Sequence, residues 1–322
     1  MEIFKLTVNQ MLMMFALILT GYFLRKKKIL PDNAGTVMSK LETNVFLPAL
    51  YLRTLLINCT VLNFKEYSPL IFYGFFIILV SVAVAFPLSK LFIKNPDNDD
   101  KLDYQRCIYK YALSFGNYGF MGSFIVLSIW GDMGYFKYTM FTMLISVVCH
   151  GWGLYVLIPK DKSKSLLKNL IKGIVTPPTI ATFAGVVLGL LDVYKFVPPF
   201  IDTALKNAGS CMGPVAMLLA GFVVGGYDLK EMIKNKKVYF ATLLRLIVLP
   251  AIFLLALKFL KVNEEIIIYT LFVLGTPLGL NTIVFPAAYG GDTKTGASMA
   301  CISHTLSIIT LPLMYFVFIV GY

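Results

Sequence analysis

The stretch LSFGNYGFMG, residues 113–122, places Gly116, Asn117, Gly119 and Gly122 inside an otherwise apolar run. Glycine weakens a helix interior, and asparagine in hydrocarbon needs a hydrogen-bond partner. A second stretch, LGTPLGLNTIVFPAAYGGD at 274–292, carries Gly275, Pro277, Gly279, Asn281, Thr282 and Pro286. Irregular backbone at membrane depth is tolerated only where it is buried in protein or lines a cavity. The groups it frees are then ligands: half-helix N-termini attract anions, and carbonyl ends attract cations. The glycines are expected to open each helix, with Asn117 and Asn281 reaching the opening. A carboxamide offers donors and an acceptor without carrying charge. The plainer alternative is close helix packing at the glycines, with the asparagines bonding across helices.

The elements that hold these stretches are membrane spans. The chain has 322 residues, 58% hydrophobic and 14% charged, with a mean hydropathy of +0.76. A soluble domain is nearer half apolar and a quarter charged, so this is an all-α polytopic membrane protein. Its net charge of +12 is read as loop lysines facing the cytoplasm, not as a nucleic-acid surface. Cys59, Cys107, Cys149, Cys211 and Cys301 are scattered and read as small apolar fillers, with no metal site. There is no HExxH, GxSxG or P-loop, so neither catalysis nor direct drive by ATP is expected, and no cofactor is implied. The N-terminal segment reads as a retained span.

Ten spans are expected, at 6–24, 34–56, 68–92, 107–129, 137–158, 174–193, 198–224, 238–259, 266–288 and 297–320. Basic residues crowd the connections after odd-numbered spans: Arg25 to Lys28, then Lys90, Lys94, Lys101, Arg106 and Lys110. They recur at Lys160, Lys162, Lys164, Lys168 and Lys172, and at Lys230, Lys234, Lys236 and Lys237. The positive-inside rule then puts those loops in the cytoplasm and both termini outside.

The halves echo each other. KLETNVFLPA in span 2 and KNAGSCMGPV in span 7 pair Lys40, Asn44 and Pro48 with Lys206, Ser210 and Pro214, an offset of 166. Pro87 and Pro250 stand 163 apart, Asn117 and Asn281 164 apart. A five-span unit repeated twice must enter the membrane from opposite sides, giving an inverted repeat. Residues 1–158 and 174–322 would be the two copies, joined by a cytoplasmic linker at 159–173. Secondary transporters share that architecture, with the site at the midplane where broken helices meet.

NVFLPALYL (44–52), FGNYGFMGSFIVLSIWG (115–131), NAGSCMGPVAMLLAGF (207–222) and PLGLNTIVFPAAYGGD (277–292) resemble the auxin efflux carrier family. That family includes the PIN-type carriers and prokaryotic malate and malonate permeases. The resemblance covers essentially the whole chain. It implies two inverted five-span bundles, with broken spans 4 and 9 crossing at the centre. It also implies that Asn117 and Asn207 help bind substrate. Two family prolines are replaced, falling at Phe124 and near Thr282, so Gly119, Gly122, Pro277 and Pro286 are expected to supply the breaks. The short linker carries no long regulatory loop.

Other polar residues have two readings each. Lys40 and Glu42 form either an interfacial pair that snorkels or a cytoplasmic gate for an anion, with Lys206 as its outer counterpart. Arg245 either supports an anion or anchors to the inner surface. His150 and His304 are either core histidines bonded to neighbouring helices or proton-coupling groups. Asp292 is either a helix cap or a coupling-ion ligand.

The expected function is secondary transport of a small organic anion, a carboxylate, across the cell membrane by alternating access. Spans 1, 2, 6 and 7 would form a panel that also meets a second protomer. Spans 3–5 and 8–10 would form the moving bundle. Pro48 and Pro214 would break spans 2 and 7 to shape the pocket. The alternatives are a sodium- or proton-coupled dicarboxylate importer of the same fold, and a membrane sensor that binds without translocating.

Overall fold

The computed structural model describes residues 2–93, 99–159, 175–289 and 291–320, and among them every regular element is a helix. The linker expected at 159–173 lies, from residue 160 on, outside the described residues. The chain opens with α1 (Glu2–Lys26), whose last turn carries Arg25 and Lys26, cations suited to a helix C-terminus. A continuous helix follows: α2 (Ala34–Leu41), a π turn at Glu42–Phe46, and α3 (Leu47–Asn58). Next come α4 (Val61–Tyr67), α5 (Pro69–Ser89) and α6 (Asp100–Ser114). A π turn at Tyr118–Gly122 leads into α7 (Ser123–Val148). Another at Cys149–Gly153 leads into α8 (Leu154–Leu157). The second half holds α9 (Pro177–Leu190), α10 (Pro199–Ser210), α11 (Met212–Gly225) and α12 (Leu229–Met232). Then α13 (Lys236–Leu243), a π turn at Leu244–Val248 and α14 (Leu249–Phe259) run as one rod. The described residues close with α15 (Glu264–Leu274), α16 (Asn281–Tyr289), α17 (Lys294–Tyr315) and a π turn at Phe316–Val320.

Helix occupies each segment expected to span. Six stretches among the described residues are long and apolar enough to cross a membrane: Phe4–Lys26, Val61–Ser89, Asp100–Leu157, Pro199–Gly225, Lys236–Phe259 and Lys294–Val320. The longest contains a corner at Gly131, whose φ of 65° and ψ of −164° divide α7. That backbone conformation strains any side-chain-bearing residue.

Two prolines act differently from expectation. Pro48 does not break its helix. Its ring cannot donate to the carbonyl four residues back and would clash with it. The helix widens instead into the π turn, where the Leu47 amide donates to the Glu42 carbonyl. Pro250 produces the same device, with the Leu249 amide donating to the Leu244 carbonyl. Pro214 lies inside α11, and the small interruption falls earlier, at Cys211 between α10 and α11.

Helix contacts are closest at glycines. A Cβ on Gly221 would run into the Ile18 carbonyl oxygen, and one on Gly21 into that of Leu218, so α1 and α11 meet backbone to backbone. Gly189 faces the Leu55 carbonyl where α9 packs on α3, and Gly74 faces that of Phe141 where α5 packs on α7. Between lipid-facing helices, close van der Waals approach of this kind supplies much of the association.

Candidate functional site

The two glycine-rich stretches are both interrupted, and they touch. The α6 helix stops at Ser114, and Phe115 is extended, with φ −120° and ψ 133°. Helix resumes at Tyr118. In the other half, α15 ends at Leu274 and α16 begins at Asn281. The Asn117 amide donates to the Pro277 carbonyl at 2.7 Å. A Cβ on Gly279 would lie 3.6 Å from the Gly116 oxygen. The openings are therefore at 115–117 and 275–280, not at Gly119 and Gly122, which lie in the resumed helix, nor at Pro286, which lies inside α16. Gly122 serves packing, since a Cβ there would reach the Phe272 carbonyl at 2.9 Å.

Four half-helix ends meet at this crossing, and the protein sorts them by sign. The C-terminal carbonyls meet Arg245, which is only 3% exposed. Its Nη1 donates to Leu113 O at 3.4 Å and its Nη2 to Val273 O at 3.2 Å. Two helix C-termini of about −0.5 charge each oppose one guanidinium. Arg245 is thus no surface anchor: it supports the crossing from inside. It also explains Gly116, where a Cβ would collide with Nη2 of Arg245. Ser81, standing 164 residues before Arg245, makes a neutral version of the contact, with its hydroxyl donating to Ser114 O at 3.2 Å.

The N-terminal ends, at Asn117–Phe120 and Gly279–Asn281, line a cavity of about 270 Å³. The first amides of any helix have no intrahelical acceptor, so this wall presents donors and partial positive charge. The cavity is completed by Ser39, Glu42, Thr43 and Tyr51 from the second helical rod, and by Thr139, Thr142, Ser146, Cys149 and His150 from α7 and its π turn. Thr176, Thr179 and Phe183 come from the start of α9 and the residue before it, and Leu219 from α11. Asn281 is held in place: its Nδ2 donates to the Tyr111 hydroxyl at 2.8 Å and to Cys149 Sγ at 3.8 Å. Tyr111 and Cys149 are 3.1 Å apart. Cys149 is therefore part of a polar cluster, not only an apolar filler, and Tyr111, Tyr51 and Tyr118 carried no sequence signal that singled them out.

Of the other anticipated residues, Gly116, Gly119 and His150 line this cavity. Thr282 is buried behind it, its hydroxyl donating to Gly279 O at 3.2 Å. The structure does not bring Asn207, Asn44, Ser210, Pro48 or Pro214 to the lining. Asn207, Asn44 and Ser210 are exposed, Asn44 bonding back to Lys40 O and Ser210 to Asn207 O. Lys206 is exposed too. Lys40 and Glu42 are not a pair. Lys40 is exposed, whereas Glu42 is 0% exposed, because residues two apart on a helix point to opposite sides. His150 and His304 each place Nδ1 against the carbonyl four residues back, at 2.9 Å and 2.8 Å. Asp292 caps α17, accepting from the Lys294 amide and the Thr295 hydroxyl, each at 2.9 Å.

Comparison with known proteins gives the family. Residues 6–315 match the family model described as membrane transport protein. The chain belongs to that family. It is 23% identical to the uncharacterized transporter MJ1031 of Methanocaldococcus jannaschii over 314 residues, 95% of this chain and 97% of the relative. It is 22% identical to the uncharacterized transporter YfdV of Escherichia coli K12 over 328 residues, 96% and 97% of the two chains. The family is one of membrane transporters, and it is the family to which the four quoted motifs point.

Proposed function

We propose that the protein is a secondary carrier that moves a small organic anion, a carboxylate, across the cell membrane by alternating access. In this reading the chain crosses the membrane ten times as two inverted five-span repeats, with both termini outside. The panel of spans 1, 2, 6 and 7, also the surface for a second protomer, stays fixed while the bundle of spans 3–5 and 8–10 rocks against it. The substrate carboxylate sits on the free amides beside Asn117 and Asn281. The observation that carries the reading is the Asn117–Pro277 hydrogen bond, which ties the two interrupted helices together and turns both N-terminal ends to one cavity.

An anion leaving a cell with a negative interior gains about 2.3 kcal/mol per charge per 100 mV, so uncoupled transport favours export. Import needs a coupled cation or exchange. The test is counterflow of labelled acetate, malonate and malate in proteoliposomes holding the purified protein. Exchange of at least one supports the carrier. Saturable binding without exchange would favour a sensor instead, and neither binding nor exchange of any of them would reject the substrate class.

A further inference from the structure

Glu42 lines the cavity, its side chain is fully buried, and neither carboxyl oxygen has a hydrogen-bond partner. Among the described lining residues it is the only acidic one, and none is Lys or Arg.

Its surroundings offer nothing to balance a charge. The π turn that carries it packs against α9, α10 and α11. The α9 and α11 helices bear no charged side chain. The α10 helix bears Asp202, which is held by Arg53 at 2.8 Å, and the exposed Lys206. On its own rod Lys40 is exposed, and Tyr51 faces the cavity. Across the cavity stand Tyr118, Cys149 and His150, and each already has a hydrogen-bond partner: Ser146, Tyr111 and the Ser146 carbonyl. No ion pair among the described residues involves Glu42.

A bound carboxylate on the helix N-termini would share this small cavity with Glu42. Two negative charges there repel strongly, because little water screens them. A proton on Glu42 removes the repulsion and converts an acceptor-only group into a donor. The π turn is what delivers the side chain to this place, and such turns are frequent at functional sites.

We propose that Glu42 is the proton-coupling group of this carrier: it is neutral when the substrate anion is bound, and one proton crosses with each anion. The proposal rests on the carrier reading above. The proton enters Glu42 when the cavity faces one side and leaves to water when it faces the other, with no other bond made or broken. The anion's departure lets the carboxyl ionise, and ionisation disfavours rebinding, so substrate and proton move together.

The experiment uses the full chain in proteoliposomes, with labelled acetate, malonate and malate as probes and three proteins: wild type, Glu42→Gln and Glu42→Asp. In wild type, apparent affinity should fall about tenfold per pH unit on the alkaline side of the group's titration. Glu42→Gln, a fixed neutral mimic, should lose that slope, and Glu42→Asp should keep it. An inside-alkaline gradient should accumulate malonate and malate, which do not cross the bilayer unaided as acetic acid does, in wild type and not in Glu42→Gln. Any slope that survives in Glu42→Gln reports titration of the probe itself, so each probe is compared with its own wild-type curve. A Glu42→Gln profile matching wild type, or equal accumulation, overturns the proposal. A substrate-free readout keeps it separable from the carrier reading. The infrared spectrum of the purified protein, followed as the pH is lowered, should gain a buried protonated-carboxyl band that Glu42→Gln lacks. If no probe exchanges, the reading of the protein as a carboxylate carrier fails, by loss of the transport step where the probe binds and of the substrate class where it does not. If the band is unchanged, Glu42 carries no proton, and the proposal fails whatever the transport result.

Discussion

Replacing Arg245 by Met removes the charge from under the crossing while keeping most of the side-chain volume. The guanidinium donates to Leu113 O at 3.4 Å and to Val273 O at 3.2 Å. A hydrogen bond from a charged group contributes about 1.5–3 kcal/mol. Both contacts are long, so we take the lower end, about 3 kcal/mol for the pair. Neutralising two helix C-termini adds about 0.3–1 kcal/mol each. Against this, the variant no longer buries a guanidinium, which offsets part of the loss. What remains is two neutral carbonyls that have lost a donor, each costing about 1–3 kcal/mol. We therefore expect Arg245→Met to lose about 3 kcal/mol, on the order of a 100-fold shift in the unfolded-to-folded ratio. Arg245→Lys should retain part of it, since lysine keeps the charge without the fork. The assay is reversible unfolding in mixed micelles, titrated with denaturing detergent. A Met variant within about 0.5 kcal/mol of wild type, the range of an inconsequential substitution, would refute the view that Arg245 offsets the half-helix carbonyls.

Further substitutions separate site from scaffold. Asn117→Ala leaves the backbone bond to Pro277 intact and should weaken probe binding by about 10- to 100-fold, the worth of one hydrogen bond to a charged ligand, as read by counterflow half-saturation. Gly119→Ala should lower affinity without loss of stability, because Gly119 lines the cavity and nothing lies within 4 Å of its added Cβ. Gly221→Ala should do the reverse, destabilising by about 1–3 kcal/mol through overpacking against the Ile18 carbonyl, measured in the same mixed micelles. Asp292→Ala should lose about 1 kcal/mol of stability through the α17 cap and leave the sodium response of transport unchanged.

The sequence carried the crossing because a helix cannot hide its breakers. Phe115 to Asn117 and Gly275 to Leu280 are irregular, and glycine, proline and asparagine marked both places. What it could not carry was the partner of each break. That the Asn117 amide meets Pro277, and that Arg245 reaches the Leu113 carbonyl as well as the nearer one at Val273, depends on contacts across more than a hundred residues in the first two cases and 28 in the third. Glu42 was legible in principle. Lys40 and Glu42 cannot share a helix face, and Pro48, six residues after Glu42, marks the turn that carries the carboxyl inward. Asn207 shows the opposite failure: a residue singled out by family resemblance lies on an exposed face of α10, where no single-chain contact turns it to the cavity.

The most direct test of the central claim joins the two breaks covalently. A Cβ on Gly279 would lie 3.8 Å from the Asn117 Cα, which puts the two Cα atoms within about 5.5 Å, inside the range a disulfide spans. Asn117→Cys and Gly279→Cys are combined in a variant free of the five native cysteines, with a protease site placed between residues 160 and 174. Mild oxidation should hold the cleaved halves together on a non-reducing gel, and reduction should release them. Halves that separate without reduction, although each cysteine alone reacts with a maleimide, would contradict the crossing on which the cavity, the sorted helix ends and the transport mechanism all depend.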